Sequence, residues 1–458
     1  MKRFYALFGA LTLLLLSNSL LAQDKSNCSL LYNWYDDDLP SSFAHDNTYN
    51  EIWGYEADGH EYAIIGTTEG THIFDLTDGQ EQEVAFVEGA VTGTQIVHRD
   101  YHDYQGYLYA VCDEGPSTLQ IIDLSGLPNS VEVVYDSADL ILRAHNIFID
   151  EDSGLMYRCG GNDQFSVFSL ENPELPELVI DCDAEVENWT STVGYVHDVF
   201  VRDGVAYCNA GSNGLYIIDF SIPTEPVTLG SLEDYEDSGY NHSGWLHEEG
   251  TIYALADETH GKRVKIIDVS DPTDPQVIAF VHSDVNALSI PHNLIFEGDL
   301  LHISYYVDGY YVWDLSDPTN PSLFAYYDTS EYPHTSGYKG AWGVYPFLSS
   351  GKQLVSDMQE GLFVFELGAT NINSAPDSFE LGAYPNPLVS ENVSIDLPNG
   401  FGDQVVINIY DQQGKLVDTQ NLLVNGSTLA VPLELPKGIY QVRIQGESTV
   451  GMTSLIKL

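Results

Sequence analysis

A six-residue pattern recurs seven times along this chain at intervals near fifty, and it restricts the fold more than any other feature. The copies read Thr71-His-Ile-Phe-Asp-Leu76, Leu119-Gln-Ile-Ile-Asp-Leu124, Phe165-Ser-Val-Phe-Ser-Leu170, Leu215-Tyr-Ile-Ile-Asp-Phe220, Val264-Lys-Ile-Ile-Asp-Val269, Tyr310-Tyr-Val-Trp-Asp-Leu315 and Leu362-Phe-Val-Phe-Glu-Leu367. Each is a β-branched and aromatic run, which favours strand. Four strands fit into each period: in the third copy they are His145–Ile149, Leu155–Cys159, Phe165–Leu170 and Leu178–Cys182, separated by turns rich in Asp, Ser, Gly and Pro. The connections Asp268-Val-Ser-Asp-Pro-Thr-Asp-Pro275 and Asp314-Leu-Ser-Asp-Pro-Thr-Asn-Pro321 must leave the sheet, since proline cannot donate to a ladder. A fifty-residue period of four strands predicts an all-β fold, a seven-bladed β-propeller over residues 23–367.

The last copy stops one strand short, and the chain supplies an orphan segment, Ser29-Leu-Leu-Tyr-Asn-Trp-Tyr35, that resembles the fourth strands Val277–Val281 and Leu323–Tyr327. Residues 29–36 are therefore expected to complete the seventh blade, which would remove an open edge; a free N-terminal arm is the alternative. Gly368 to Ser378 is small and polar and reads as a linker. From 379 to 458 the pattern changes to short alternating strands split by turns, as expected for a small Ig-like β-sandwich.

Lys plus Arg number 16 against 69 Asp plus Glu, a formal charge of −53. Such a chain repels phosphate backbones and anionic lipid, so nucleic acid is excluded as a partner, while cations and neutral glycans are compatible. Met1-Lys-Arg3, an apolar stretch from Phe4 to Leu16 and small residues up to Ala22 form a signal peptide over residues 1–22. No later segment is apolar for long enough to span a bilayer, so the mature chain is expected to be exported without a transmembrane segment. The five cysteines, Cys28, Cys112, Cys159, Cys182 and Cys208, show no Cys-x-x-Cys spacing. They read mainly as small buried hydrophobes, with one disulfide as the lesser option.

Tyr384-Pro-Asn-Pro387, Ile409-Tyr-Asp-Gln-Gln-Gly-Lys415, Leu435-Pro-Lys-Gly438-Ile-Tyr440-Gln-Val-Arg-Ile444 and a closing Thr453-Ser-Leu-Ile-Lys457-Leu458 occur in that order. This module resembles the type A sorting domain of the Bacteroidetes type IX secretion system. The resemblance implies the type IX machinery as a partner, passage across both membranes, and residence at the cell surface or outside the cell. Tyr384, Pro385, Asn386, Pro387, Gly438, Tyr440 and Lys457 then belong to the sorting signal. Residues 29–367 resemble the LVIVD-repeat propellers of the choice-of-anchor B family, through Ile266-Ile-Asp-Val-Ser-Asp-Pro272, Glu51-Ile-Trp-Gly54, His98-Arg-Asp100, Ala144-His-Asn146, His242-Ser-Gly-Trp-Leu246, Pro291-His-Asn293 and Gly340-Ala-Trp-Gly343. That resemblance implies fold and address and leaves the activity open.

One constellation has the chemistry for a site. Trp53, His98, His145, His197, His242, His292 and Trp342 follow one another at intervals of 45, 47, 52, 45, 50 and 50 residues, each at the start of a first strand. Innermost strands line the axial channel of a propeller, so these seven side chains are expected to ring one mouth. The following residues Arg99, Asn146, Asp198, Ser243 and Asn293 are expected to turn away by alternation. Histidine is the commonest metal ligand and the usual acid–base group near neutral pH, so adjacent imidazoles could hold zinc or calcium with Asp100 or Asp198 as carboxylate partner. The same histidines could instead bond the next blade and lock the ring.

No cofactor is established by any motif: a Gly-x-Ser-x-Gly elbow, a phosphate loop and a His-Glu-x-x-His pair are all missing from the sequence. The leading expectation is a noncatalytic surface scaffold that binds a glycan, a protein or a small ligand at the channel mouth. The channel residues Trp53, His98, Asp100, His145, Asn146, His197, Asp198, His242, His292, Asn293 and Trp342 are its candidate contacts. A metal-assisted hydrolase or lyase using the channel histidines, and a purely structural surface-layer element, are the alternatives.

Overall fold

The computed structural model describes residues 25–368 except 80, 335 and 336, and residues 379–457 except 389–391, 398–400, 402–403, 411–415, 425–427, 434 and 446–449. The signal peptide and almost all of the proposed linker lie outside the described residues, as does the turn at 411–414. The chain divides into two compact units, Met1–Leu367 and Gly368–Leu458.

The N-terminal unit is a β-propeller in which the described residues form seven antiparallel sheets. Their first strands are Tyr49–Ala57, Arg99–Tyr104, Asn146–Asp150, Asp198–Arg202, Asn241–Leu246, Leu294–Glu297 and Ala341–Tyr345. Each packs against the next, and Ala341–Tyr345 packs back against Tyr49–Ala57, so these strands close the hub. The pair formed by the third and fourth strands of every sheet carries a register shift. Such a bulge adds local twist, which a blade needs between its flat inner edge and splayed outer edge.

In six of its seven copies the repeated hexapeptide ends one residue beyond the third strand, and two hydrogen bonds explain that ending. The final apolar residue donates its backbone N–H to the hairpin joining strands one and two: Leu124 to Gly106 O (2.9 Å), Leu170 to Gly154 O (2.8 Å), Phe220 to Gly204 O (2.7 Å) and Leu315 to Asp299 O (2.9 Å). These side chains are at most 3% exposed. The aspartate before it turns the chain out of the sheet, its Oδ1 accepting the N–H two residues on: Ser125 to Asp123 (2.8 Å), Ser221 to Asp219 (2.7 Å), Ser270 to Asp268 (2.9 Å) and Ser316 to Asp314 (2.9 Å). Part of the chain's acidity is thus turn chemistry repeated blade by blade.

The N-terminal segment completes the ring. Cys28–Trp34 lies antiparallel to Gly361–Leu367, with Leu30 opposite Phe365 and Trp34 opposite Leu362. Lys25–Ser26 continues onto Ser322–Tyr327 of the neighbouring sheet. All five cysteines are free and buried. Cys112 and Cys159 end the second strands of their sheets, and Cys208 is the last residue but one of the next. Burial pushes the Cys28 thiol up to about 12 and that of Cys112 to about 11, so neither serves as a thiolate nucleophile.

The C-terminal unit is a two-sheet sandwich. Val450–Lys457, Gly438–Gln445, Gln404–Tyr410 and Leu416–Leu423 form the larger sheet with Phe379–Glu380, and Ala383–Tyr384, Asn392–Asp396 and Thr428–Pro432 form the smaller. Alternate residues of the two sheets, among them Val393, Ile395, Val405, Ile407, Leu429, Val431, Val442 and Ile444, are buried together between them.

Candidate functional site

The axial channel is built in three levels, because the seven first strands stand side by side around the axis and each faces it with alternate residues. In chain order along each strand these are an imidazole level, an oxygen level and an aromatic level.

The imidazole level consists of five histidines and Trp342. Ring centroids are 4.3 Å apart for His98–His145, 4.0 Å for His145–His197, 4.1 Å for His197–His242, 4.4 Å for His242–His292 and 4.2 Å for His292–Trp342, and Trp342 returns to His98 at 5.6 Å. Two of the rings tie blades together: His197 Nδ1 lies 3.1 Å from His242 O, and His292 Nδ1 lies 2.6 Å from Trp342 O. A carbonyl only accepts, so Nδ1 carries the proton in both and Nε2 keeps its lone pair. His145 Nδ1 pairs instead with Asp113 Oδ2 at 2.9 Å. Burial, then the neighbouring imidazoles, push His98, His197 and His242 well below the usual histidine value. Burial takes His292 down to about 3. These rings are neutral bases at physiological pH.

Trp53 does not join this level. Its ring lies 4.5 Å from His102 and 5.0 Å from Tyr345, and its Nε1 donates to Asp103 Oδ1 at 2.9 Å. The residue that precedes the first blade's oxygen-level side chain is Asn50, fully buried, whose amide donates to Val97 O at 3.3 Å. The even spacing of Trp53 and the histidines conceals a shift of three residues along the first strand.

The oxygen level also corrects the sequence expectation. Asn146, Asp198, Ser243 and Asn293 do not turn away; with Glu51 and Asp100 they line a cavity of about 60 Å³. His145 and His197 stand just before strands that begin at Asn146 and Asp198, so alternation starts one residue later, and a bulge between Asn241 and Ser243 breaks the alternation at His242. Arg99 does turn away, and its guanidinium donates to Thr67 O (2.8 Å) and Val91 O (2.7 Å) of the preceding blade. Asp100 Oδ2 accepts from Ile147 N at 2.7 Å, Asp198 Oδ1 from Val199 N at 2.7 Å, and Glu51 Oε2 from Asn293 Nδ2 at 2.9 Å. Burial pushes Glu51 up to about 7 and Asp198 up to about 8; burial and the nearby Glu51 hold Asp100 well above the usual carboxylate range.

Sequence reasoning missed the aromatic level except for Trp53. It follows two residues behind each oxygen-level side chain: Trp53, His102, Phe148, Phe200, Trp245, Ile295 and Tyr345. Phe148 lies 5.3 Å from His102 and from Phe200, and Trp245 lies 4.8 Å from Phe200 and 5.8 Å from Phe347. Trp53, Phe148, Trp245 and Tyr345 are half-buried, and Phe347 is 40% exposed. The i, i+2 pairs Glu51/Trp53, Asn146/Phe148, Asp198/Phe200 and Ser243/Trp245 were visible in the chain as the period of a strand.

A second missed residue is Glu258, in the loop at 257–263 that reads in sequence as merely charged. Its Oε2 lies 3.8 Å from His242 Nε2, and its Oε1 accepts from the Tyr306 hydroxyl at 2.5 Å. The ring of Tyr240 stands edge-on 5.5 Å from His197.

In the C-terminal unit, Asn386 Oδ1 accepts from Ile456 N at 2.9 Å and Leu388 N donates to Ile456 O at 2.6 Å, so the Tyr384–Pro387 segment is fastened to the last strand. Gly438 stands opposite Lys457 in the ladder. Tyr440 is buried and donates to Pro436 O at 2.9 Å, while Tyr384 is exposed.

Family comparison finds a secretion system C-terminal sorting domain over residues 382–457, and LVIVD repeats over 193–234, 260–282 and 296–329. The chain carries LVIVD repeats and a type IX sorting domain. That domain implies export to the cell surface or extracellular space and interaction with the type IX secretion system. No helix among the described residues is long and apolar enough to cross a membrane.

Similar solved structures include PorZ, a surface component of the type IX secretion system of Porphyromonas gingivalis (10% identity, TM-score 0.47, 93% of this chain and 61% of that one). A second is the Cps50 (Swd1) β-propeller domain of Myceliophteria thermophila (12%, 0.49, 70% and 97%). A third is the extracellular domain of the putative hybrid two-component system BT4673 of B. thetaiotaomicron (14%, 0.48, 93% and 60%). The chain spans about three fifths of the length of the first and third of these. No curated protein is significantly similar in sequence.

Proposed function

We propose that this LVIVD-repeat protein is a noncatalytic binding scaffold, displayed on or released from the cell surface, that takes a glycan at the aromatic end of its channel. The observation that carries this reading is the pairing of levels: half-buried faces of Trp53, Phe148, Trp245 and Tyr345 stand over a cavity lined by Glu51, Asp100, Asn146, Asp198, Ser243 and Asn293. Aromatic faces stack on the C–H faces of a sugar ring, and a shelf of amides, a hydroxyl and carboxyls accepts and donates to its hydroxyls. A channel mouth fixed by seven sheets is preorganised, which lowers the entropic cost of capture. The family resemblance to choice-of-anchor B proteins and a signal peptide ending at Ala22 fit the same surface address.

A glycan microarray probed with the full mature chain tests this. A reproducible set of bound sugars is expected, with binding weakened at least about tenfold by Trp245→Ala. A featureless array, or a variant that binds as well as the parent, would refute it. The alternative reading, a metal-assisted hydrolase or lyase, is favoured by one observation at the other end of the channel, the closeness of His242, Glu258 and His292.

A further inference from the structure

We propose that His242, His292 and Glu258 form a divalent transition-metal site on the imidazole level. One donor atom from each of the three lies within 4.8 Å of the others. The Glu258 Oε2 to His242 Nε2 separation of 3.8 Å is too long for a hydrogen bond and close to what two ligands of one ion show: bonds of about 2.1 Å at tetrahedral angles put donors about 3.4 Å apart.

The supporting contacts prepare each donor. His292 commits Nδ1 to Trp342 O, which leaves Nε2 as the coordinating atom. Glu258 is oriented by the Tyr306 hydroxyl on its other oxygen. Carbonyl and hydroxyl partners of this kind are the usual outer shell of metal ligands.

The independent observation concerns His242. Unlike His197 and His292, it makes no interblade bond, and its Nδ1 has no hydrogen-bond partner although the residue is only 4% exposed. With no hydrogen bond at Nδ1, no partner forces the proton onto Nε2, so nothing opposes a lone pair on the nitrogen that faces Glu258.

Donor chemistry sets the class. Two neutral imidazoles and one carboxylate suit zinc and its first-row neighbours; calcium takes oxygen ligands and is disfavoured. Three protein ligands leave a position open, the arrangement of reactive rather than purely structural zinc sites. The site does not depend on what the aromatic end binds.

The test uses the full mature chain, stripped with chelator and titrated with Zn²⁺ against a chromogenic competitor, with no sugar present. One Zn²⁺ per chain is expected, retained in millimolar Ca²⁺, and Co²⁺ loading is expected to give the intense visible bands of a four- or five-coordinate ion. Glu258→Gln should weaken Zn²⁺ at least about tenfold, and Tyr306→Phe should weaken it by a smaller factor, while Glu151→Gln at the far end of the third blade's inner hairpin should not. No stoichiometric Zn²⁺, a weak six-coordinate Co²⁺ spectrum, or unchanged affinity in a folded Glu258→Gln protein would each overturn the proposal. The Co²⁺ spectrum of the parent decides the matter if the variants do not fold.

Discussion

His292 reaches one blade forward through Nδ1 and holds the carbonyl oxygen of Trp342 at 2.6 Å, fifty residues along the chain. His197 does the same to His242 at 3.1 Å. These imidazoles are rivets between neighbouring sheets, and the nitrogen that makes the rivet is the one opposite the Nε2 proposed to hold a metal.

His292→Ala should therefore cost about 2 kcal/mol of stability, combining a lost buried hydrogen bond with a small cavity. His260→Ala, on an exposed loop residue, should stay within about 0.5 kcal/mol. Denaturant midpoints of the two variants check this, and equal midpoints would contradict the rivet.

The same burial sets an acid limit. His292 has a folded value of about 3 against an ordinary 6.5, so below pH 6.5 the unfolded chain gains a proton that the folded chain refuses. Stability is lost as pH falls from about 6.5 towards 3, by up to about 1.4 kcal/mol per pH unit for each such group. His98, His197 and His242 add to the same limb. Replacing His292 with Gln should make the fall in melting temperature between pH 6.5 and 4 shallower.

Asp198 works in the opposite sense. Its folded value of about 8 lies above the ordinary 3.8, so the folded chain holds a proton that the unfolded chain has released. Its contribution is fully present below pH 3.8 and is lost as pH rises through about 8. Asp198→Asn should remove one proton's worth of the pH dependence of melting temperature between about pH 4 and 8; an unchanged slope would show that the carboxyl is ionised in the folded state.

The repeat aspartates make a third case. Asp268 is half-buried and closes the turn to Ser270, accepting from both the N–H (2.9 Å) and the hydroxyl (2.6 Å). Asp268→Ala should destabilise by about 1 kcal/mol and Asp268→Asn by less, measured by thermal unfolding.

Removing residues 25–34 should leave Gly361–Leu367 as an open strand edge. Loss of monodispersity in size-exclusion chromatography is expected, since an unpaired edge invites pairing with another chain.

Much of the propeller was legible because the hexapeptide reports a strand and its exit turn in one stroke: Ile266 and Ile267 fill the core, Asp268 turns and Val269 plugs the gap. The site was legible only in part. Histidines at His98, His145, His197, His242 and His292 stood out by their rarity and spacing, whereas Trp53 entered that series by an interval that happened to match. The level of each side chain depends on where the strand begins, and the residue between His98 and Asp100 has no counterpart between His145 and Asn146. Glu258 was hidden because the approach of a loop to the hub is set by the packing of Tyr306, not by any local pattern.

The strand that seals the ring has one more consequence. Cys28–Trp34 is made first and docks on Gly361–Leu367, made more than three hundred residues later. Synthesis thus separates the two halves of the final seam by nearly the whole propeller, and the hub likewise closes only when Ala341–Tyr345, near the end of the propeller, meets Tyr49–Ala57, near its start. The full circle of side chains along the axis therefore needs both ends of the propeller: a chain cut before Ala341 would keep all five histidines and lose Trp342, the ring that stands between His292 and His98.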